Sequence, residues 1–456
     1  MEKLTMEKLV NVCKQYGYIF QGSEIYDGLA NTWDYGPLGV ELKNNVKKLW
    51  WKRFVQESTN SFGLDSAILM NPNVWVASGH VSSFTDPLLD CKECKMRHRA
   101  DKLIESFNSE INADAMSEEE MVKYIKENNI PCPNCGKSNY TDIRNFNLMF
   151  ETNRGVTKDN QSKIYLRPET AQGEFVDFLN VQRTMRAKVP FGIGQIGKAF
   201  RNEITPGNFT FRTIEFEQME HQWFCHEGED SKYYEYYKQF AYNFFKDLGL
   251  NEDNLRFKDH EKLAHYAKEA CDIEYKFCFG WGEIYGNHNR TNFDLSNHQK
   301  YSKKSMEYLD PVTNEKFIPY IIEASCGADR LTLALLNEAY QEEVLEDGTE
   351  RIVMKFNPSV APYKCLITPL VKKYHSEKAI ELYQKLSKNF MVSYDDTGSI
   401  GKRYRRSEVM GIPYVITVDD NTINKSTVTV RDRDTMEQIT INTSEIENFI
   451  NEKIKF

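Results

Sequence analysis

Hydrophobic positions along this chain change their spacing several times, and each change marks an element. After Gly36-Pro37 the residues Leu38, Leu42, Val46, Leu49, Trp50 and Phe54 recur at helical spacing. Pro37 suits the first position of that helix, where a missing N–H costs nothing. The stripe faces either the core or a second subunit, because two adjacent tryptophans are a large apolar load for one face. Residues 191–203 and 211–224 read as extended runs around a Pro206-Gly207 turn, which predicts an antiparallel hairpin with a long loop. Residues 321–327 form an apolar strand that enters a helix, 328–340, through Gly327. Residues 67–70 are a further strand candidate, ended by Asn71-Pro72.

Two polar stretches interrupt this pattern. Residues 91–135 are polar throughout, with Ser117 and Glu120 spaced as a capping box that predicts a short helix to about Asn128. This stretch reads as an insertion. A second break spans 346–362, where Glu346-Asp347-Gly348-Thr349 predicts a turn and Asn357-Pro358 and Ala361-Pro362 punctuate a linker. Beyond it, strand candidates at 365–368, 391–394, 414–418, 428–430 and 439–441 alternate with helix. One helix is predicted to start at Ser376 and to bury Ala379, Ile380, Leu382, Tyr383 and Leu386. Residues 363–456 thus form a small α/β domain.

Composition narrows the class. The chain has 456 residues, 40% of them apolar and 13% aromatic, enough for about three domains of ~150 residues. These values exclude a disordered, fibrous or small disulfide-stapled protein. No run approaches ~18 apolar residues, so no membrane partner is expected. Met1–Lys8 carries acidic residues without an apolar stretch, so the expected location is cytoplasmic. The net charge of −9 argues against nucleic acid binding over the whole surface and leaves room for a local basic face.

Candidate chemistry follows from side-chain alternation. In a strand, Arg212, Ile214, Phe216, Gln218 and Glu220 share one face, with Thr213, Glu215 and Glu217 pointing oppositely; Arg201 and Glu203 also share a face, and if the two faces coincide they make one surface. Two guanidiniums, an aromatic plate and two carboxylates on one surface suit a phosphate, a base and an amine. The same pattern fits a solvated edge hairpin. Arg330, at the start of the 328–340 helix, either pairs with Asp329 at the surface or joins the helix terminus in receiving phosphate. Cys91-x2-Cys94 and Cys132-x2-Cys135 have the spacing of a structural zinc site; four free or redox thiols are the other reading, and His98 is a substitute ligand. The remaining cysteines, Cys13, Cys225, Cys271, Cys278, Cys326 and Cys365, read as packed thiols. Lys402, Arg405 and Arg406 fall on one side of a helix beside Tyr404, which is either a solvated face or a phosphate-binding one.

Phe200-Arg201-Asn202-Glu203 with Phe211-Arg212-Thr213-Ile214-Glu215-Phe216 resembles motif 2 of a class II aminoacyl-tRNA synthetase, and residues 321–330 resemble motif 3. The run Leu166-Arg167-Pro168-Glu169-Thr170-Ala171-Gln172-Gly173 and the string Phe216-Glu217-Gln218-Met219-Glu220 resemble homodimeric glycyl-tRNA synthetases over nearly the whole chain. The helix from Pro37 and residues 67–72 resemble motif 1, which implies a homodimer interface. The resemblance implies an α+β fold: a catalytic antiparallel-sheet domain at 1–90 and 146–345, a zinc-knuckle insertion at 91–145, a linker at 346–362 and an α/β anticodon-binding domain at 363–456.

It also implies site roles. Arg201 and Arg330 become the catalytic phosphate contacts. Asn202, Glu203, Phe211, Arg212, Phe216, Glu283, Ile284, Gly327, Ala328 and Asp329 join them around ATP and Mg²⁺. Arg99, Glu169, Phe216, Glu217, Gln218, Met219, Glu220, Arg290, Glu323, Ser325 and Gly327 surround glycine. Cys91, Cys94, Cys132 and Cys135 hold structural Zn²⁺. The implied activity is ATP-dependent ligation of glycine to tRNA-Gly. Ala324 and Cys326 stand where this family usually has Pro and Ala, which implies altered packing with activity kept. The alternative is a non-catalytic RNA-binding relative; Arg201, Glu203, Arg212 and Arg330 together argue for the enzyme.

Overall fold

The structure, a computed structural model, describes all residues except 1–3, 109–110, 112, 114–115, 157–161, 204–206, 261–262, 264–266 and 346–347. Its centre is a seven-stranded sheet. The strands are β1 (Ser61–Gly63), β2 (Phe191–Phe200), β3 (Glu215–Cys225), β4 (Leu255–Asp259), β5 (Glu269–Phe277), β6 (Gly280–Thr291) and β7 (Tyr320–Gly327), in the order β4-β5-β6-β7-β3-β2-β1. All neighbours are antiparallel except β1 and β2.

Alternation assigns each face of the sheet its work. Met219, Trp223 and Cys225 of β3 point into a large core with α1 (Pro37–Trp51), α3 (Asp230–Asp247) and α5 (Ala328–Ala339). Leu38, Leu42, Val46, Trp50 and Phe54 are all buried there, so the expected apolar stripe is satisfied within the chain. Gln218, Glu220 and Gln222 point the other way. On that side α2 (Ala171–Val176) and α4 (Phe293–Ser302) are packed, and a second core gathers Phe175, Phe178, Phe191 and Phe224. Between the apolar ends of this second face lies a polar floor. Cys13, Cys225, Cys271, Cys326 and Cys365 are buried, and Cys278 is half-buried.

The polar stretch forms its own small unit. Strands Thr85–Asp90, Arg97–Arg99 and Arg144–Asn147 form a sheet, against which the helices Ala100–Phe107 and Glu118–Glu127 bury Leu89, Leu103, Ile104, Met121 and Ile125. Both halves of the capping box at Ser117 and Glu120 are made. The C-terminal domain is a five-stranded sheet of β8 (Cys365–Pro369), β9 (Val392–Tyr394), β10 (Tyr414–Val418), β11 (Thr427–Asp432) and β12 (Gln438–Asn442), ordered β9-β8-β10-β11-β12. The helices α6 (Lys372–Leu386) and α7 (Ile400–Val409) accompany it.

Several expectations need correction. The α6 helix starts at Lys372 after Val371, and Ser376 lies inside it, where its hydroxyl donates to the Lys372 carbonyl at 2.7 Å. A serine can bond back into its own helix, so it need not cap one. Residues 67–70 are not a strand; only Leu69 bridges to Leu166. Arg212 and Ile214 precede β3, and Arg201 and Glu203 follow β2, so these four lie in the connection and outside the ladder. The Pro206 half of the predicted turn and Glu346-Asp347 lie outside the described residues. Among the described residues, no helix is long and apolar enough to cross a membrane.

Candidate active site

Three strands build the floor. In register, Glu220 of β3 lies opposite Ser325 of β7, which lies opposite Gly286 of β6; one step on, Gln222, Glu323 and His288 form the next row. Ser325 Oγ donates to Glu220 Oε1 at 2.7 Å, Gln218 Nε2 donates to the same oxygen at 3.0 Å, and Thr170 Oγ1 donates to Oε2. Burial, with Glu323 and Glu169 nearby, pushes the Glu220 carboxyl up to about 7.

The neighbouring acids are held ionised. Burial opposes ionisation of Glu323, yet Arg290 and His288 keep its carboxyl well below the usual range. Arg290 Nη1 lies 3.1 Å from Glu323 Oε2, and His288 Nδ1 lies 2.9 Å from Oε1. Arg290 is itself oriented by Asp294 at 2.8 Å. Glu169 is half-buried; loss of water opposes its charge, yet His80, 3.4 Å away, and Arg290 hold its carboxyl well below the usual range, and Gln172 donates to it at 2.9 Å. Three carboxylates around one small recess make a receptor for a compact cation.

The other end of the same cavity is basic. Arg201 donates from Nε to the Pro168 carbonyl at 3.0 Å, and its guanidinium sits 5.3 Å from the ring centres of both Phe216 and Phe84. Arg330 donates to the Phe211 carbonyl at 3.1 Å, lies 4.4 Å over the Phe211 ring and pairs with Glu283 at 2.9 Å. That pair offsets the unfavourable placing of a cation in the first turn of α5. Glu283 is exposed at the cavity rim; partial loss of water opposes its charge, and Arg330 outweighs it, so the carboxyl is held below its ordinary value. Arg212 lies 3.8 Å from Glu203. Arg201, Arg212 and Arg330 therefore border one cavity with Glu169, Glu220 and Glu323. Such a site takes an elongated molecule that is cationic at one end and polyanionic at the other.

Comparison with known proteins fits this charge pattern. The class II tRNA synthetase core domain (G, H, P, S and T) matches residues 150–340, and an anticodon binding domain matches 364–453. The chain is 59% identical over 461 residues to a glycine–tRNA ligase of Clostridium acetobutylicum, covering 100% of both chains. It is 59% identical over 459 residues to that of Clostridium kluyveri, with 99% of each covered, and 56% identical over 460 residues to that of Caldanaerobacter subterraneus subsp. tengcongensis, covering 100% of this chain and 99% of the other. The chain belongs to the glycine–tRNA ligase family of class II synthetases.

Most residues expected to contact substrate in a glycine–tRNA ligase converge here. Arg201, Glu203, Phe211, Arg212, Phe216, Glu283, Ile284, Gly327, Asp329 and Arg330 border the cavity, as do Glu169, Glu217, Gln218, Glu220, Arg290, Glu323 and Ser325. Four do not border it. Arg99 pairs with Asp86 at 3.0 Å and with Asp101. Asn202 donates its N–H to the Leu148 carbonyl at 2.8 Å. Met219 is fully buried in the large core behind β3. Ala328, also fully buried, opens α5. Sequence reasoning missed His80, Thr170, His288 and Asp294. Thr170 adjoins Glu169, and His288 and Asp294 lie two before and four after Arg290, so face periodicity around the named residues was the available signal.

The four cysteines of the insertion also converge. Their sulfurs all lie within 4.8 Å of one another, with Cys91 and Cys135 at 3.6 Å and Cys94 and Cys132 at 3.7 Å. A tetrahedral site with metal–sulfur bonds of ~2.3 Å has sulfur–sulfur edges of about 3.8 Å, so the cluster fits zinc. His98 Nε2 lies 3.3 Å from Cys132 Sγ, as a neighbour to the four thiols. On α7, Arg403 is buried and bonded to the Gly398 carbonyl at 2.8 Å and Thr368 at 2.9 Å. Lys402, Arg405 and Arg406 line an open depression with Ser399 and Gly401. Tyr404 bonds Thr417 at 3.2 Å, with the Arg431 guanidinium 4.8 Å from its ring, so its face is already engaged.

Proposed function

We propose that this protein activates glycine with ATP and transfers it to the 3′ end of tRNA-Gly. The observation that carries the reading is one cavity bordered both by Glu169, Glu220 and Glu323 and by the guanidiniums of Arg201, Arg212 and Arg330 with the Phe216 ring. The glycine ammonium would sit among Glu220, Glu169 and Glu323, with Ser325 helping to fix Glu220. The adenine would stack on Phe216, with its phosphates against Arg201 and Arg330 and toward Arg212. A carboxylate oxygen of glycine then attacks the α-phosphorus, the bond to the β-phosphate oxygen breaks, and pyrophosphate leaves. The tRNA hydroxyl next attacks the glycyl carbonyl carbon and AMP departs. The chain supplies orientation and fixed charge and needs no covalent nucleophile.

Mg²⁺ bound with the nucleotide would be held beside Glu283, where it neutralises phosphate charge. Four thiolates close a zinc tetrahedron, so Zn²⁺ at Cys91, Cys94, Cys132 and Cys135 is structural and leaves no position for chemistry. The C-terminal domain, matched to anticodon-binding domains, would present Lys402, Arg405 and Arg406 to tRNA phosphates. A homodimer and a cytoplasmic location complete the reading. The test is charging: purified protein with glycine, ATP and Mg²⁺ should esterify tRNA-Gly with release of AMP. ATP-dependent charging of tRNA-Gly with another amino acid, or none with glycine, would refute it.

A further inference from the structure

The ladder between β3 and β7 ends at Gln218 opposite Gly327, because the chain turns there into α5. Residues Glu215–Glu217 of β3 therefore have a sheet partner only on the β2 side. These are the residues that carry Phe216 to the nucleotide end of the cavity. On the open side the Glu217 N–H donates to Asp329 Oδ2 at 2.7 Å, a side-chain substitute for the missing ladder bond. Asp329 is next to Arg330, so this one bond ties the adenine plate to the phosphate-binding guanidinium.

One ammonium bridges the two carboxylates at that bond. Lys43 Nζ, on the α1 side of the sheet, lies 2.7 Å from Asp329 Oδ1 and 2.7 Å from Glu217 Oε2. Tyr35 donates its hydroxyl to the same Asp329 oxygen at 2.7 Å, and Lys47 reaches the second Glu217 oxygen at 3.1 Å. The Lys43 side chain is 6% exposed and those of its two partners 15% and 8%, so water does little of this neutralisation. Without the ammonium, two carboxylates would face each other across the gap where the ladder stops, and repulsion would push Phe216 away from Arg330.

We propose that Lys43 is a positioning residue for the nucleotide half of the site: its bridge to Glu217 and Asp329 sets the spacing between Phe216 and Arg330 and does not act on the glycine half. The inference rests on the ATP-binding reading given above. Glu217 and Asp329, expected from the resemblance to contact glycine and ATP, act on this account from behind, through their neighbours. The glycine half is insulated because Glu220, Ser325 and Glu323 sit where β3, β7 and β6 are fully paired.

The experiment measures ATP and glycine separately. In glycine-dependent pyrophosphate exchange, Lys43→Met should raise the KM for ATP about tenfold or more and lower kcat, while the KM for glycine stays within about twofold. Lys43→Arg, which can still bridge two carboxylates, should bring the ATP KM back to within about threefold of wild type. Calorimetric titration of ATP alone should show the same loss, a readout that stands even if glycine is not the substrate. If Lys43→Met folds poorly, Lys43→Met with Glu217→Gln removes the carboxylate pair's repulsion and should restore melting and bring the ATP KM part of the way back toward wild type. Equal losses for ATP and glycine, unchanged ATP binding, or Lys43→Arg no better than Lys43→Met would overturn the proposal. Exchange absent in the wild type, with intact ATP binding lost in Lys43→Met, would refute only the choice of amino acid.

Discussion

Arg201→Ala is expected to abolish glycine-dependent exchange of pyrophosphate into ATP, with a fall of at least about a thousandfold, and to leave the fold intact. The side chain holds one bond to the Pro168 carbonyl and rests against Phe216 and Phe84, so little packing is lost with it. On the proposed reading, what is lost is fixed positive charge at the α-phosphorus, where negative charge grows as the pentacovalent transition state forms. A preorganised cation in a partly enclosed site acts there with little reorganisation, which is why its loss falls on the chemical step. Circular dichroism and melting should match the wild type. Near-normal exchange in this variant would remove Arg201 from the mechanism.

The second large effect falls on glycine alone. Glu220→Gln should raise the KM for glycine about a hundredfold and change that for ATP by less than about threefold. Glutamine keeps the shape: its one amide oxygen can still accept from Ser325 and Gln218, while its NH2 must donate to the Thr170 hydroxyl, so the change removes the charge and reverses one hydrogen bond. A pH dependence follows with a definite sign. Burial first, and then Glu323 and Glu169, push the free Glu220 carboxyl up to about 7. An ammonium binds the ionised form, so protons compete with glycine below that pH. The wild-type kcat/KM for glycine should fall by up to about tenfold per unit as pH drops through and below 7, because that ratio reports the free enzyme. Glu220→Gln should flatten this limb. Equal losses for ATP and glycine, or an unchanged pH limb in the variant, would contradict an amine-binding role.

The sequence made the geometry legible wherever short-period alternation and charge type agreed. Phe216, Gln218 and Glu220 could be placed on one face because β3 has no bulge against β2 or β7, and the register bears this out. The spacing of the cysteines was enough to bring four sulfurs together, because two tight turns fix each pair. β5 and β6 were not legible as strands. In β6, Gly280, Gly282 and Gly286 weaken the β signal, and Asn287, Asn289 and Arg290 are polar residues buried against partners elsewhere, Tyr234, Asp230 and Asp294 among them, which no hydrophobic pattern marks. The partners of a named residue were harder still. Lys43 looks like one more solvated position on the polar side of an amphipathic helix, and only the fold brings Glu217 and Asp329 onto it. Arg99, which the resemblance places near substrate, is held by two aspartates and does not itself border the cavity.

Glycine is the one amino acid without a side chain, and the cavity that Glu169, Glu220 and Glu323 border with Arg201, Arg212 and Arg330 is proposed to hold it. Pyrophosphate exchange measured side by side with glycine, alanine and serine tests this most directly. Glycine should drive exchange, with alanine and serine supporting at most about one hundredth of its rate at equal concentration. Comparable exchange with alanine, or exchange with neither, would contradict it.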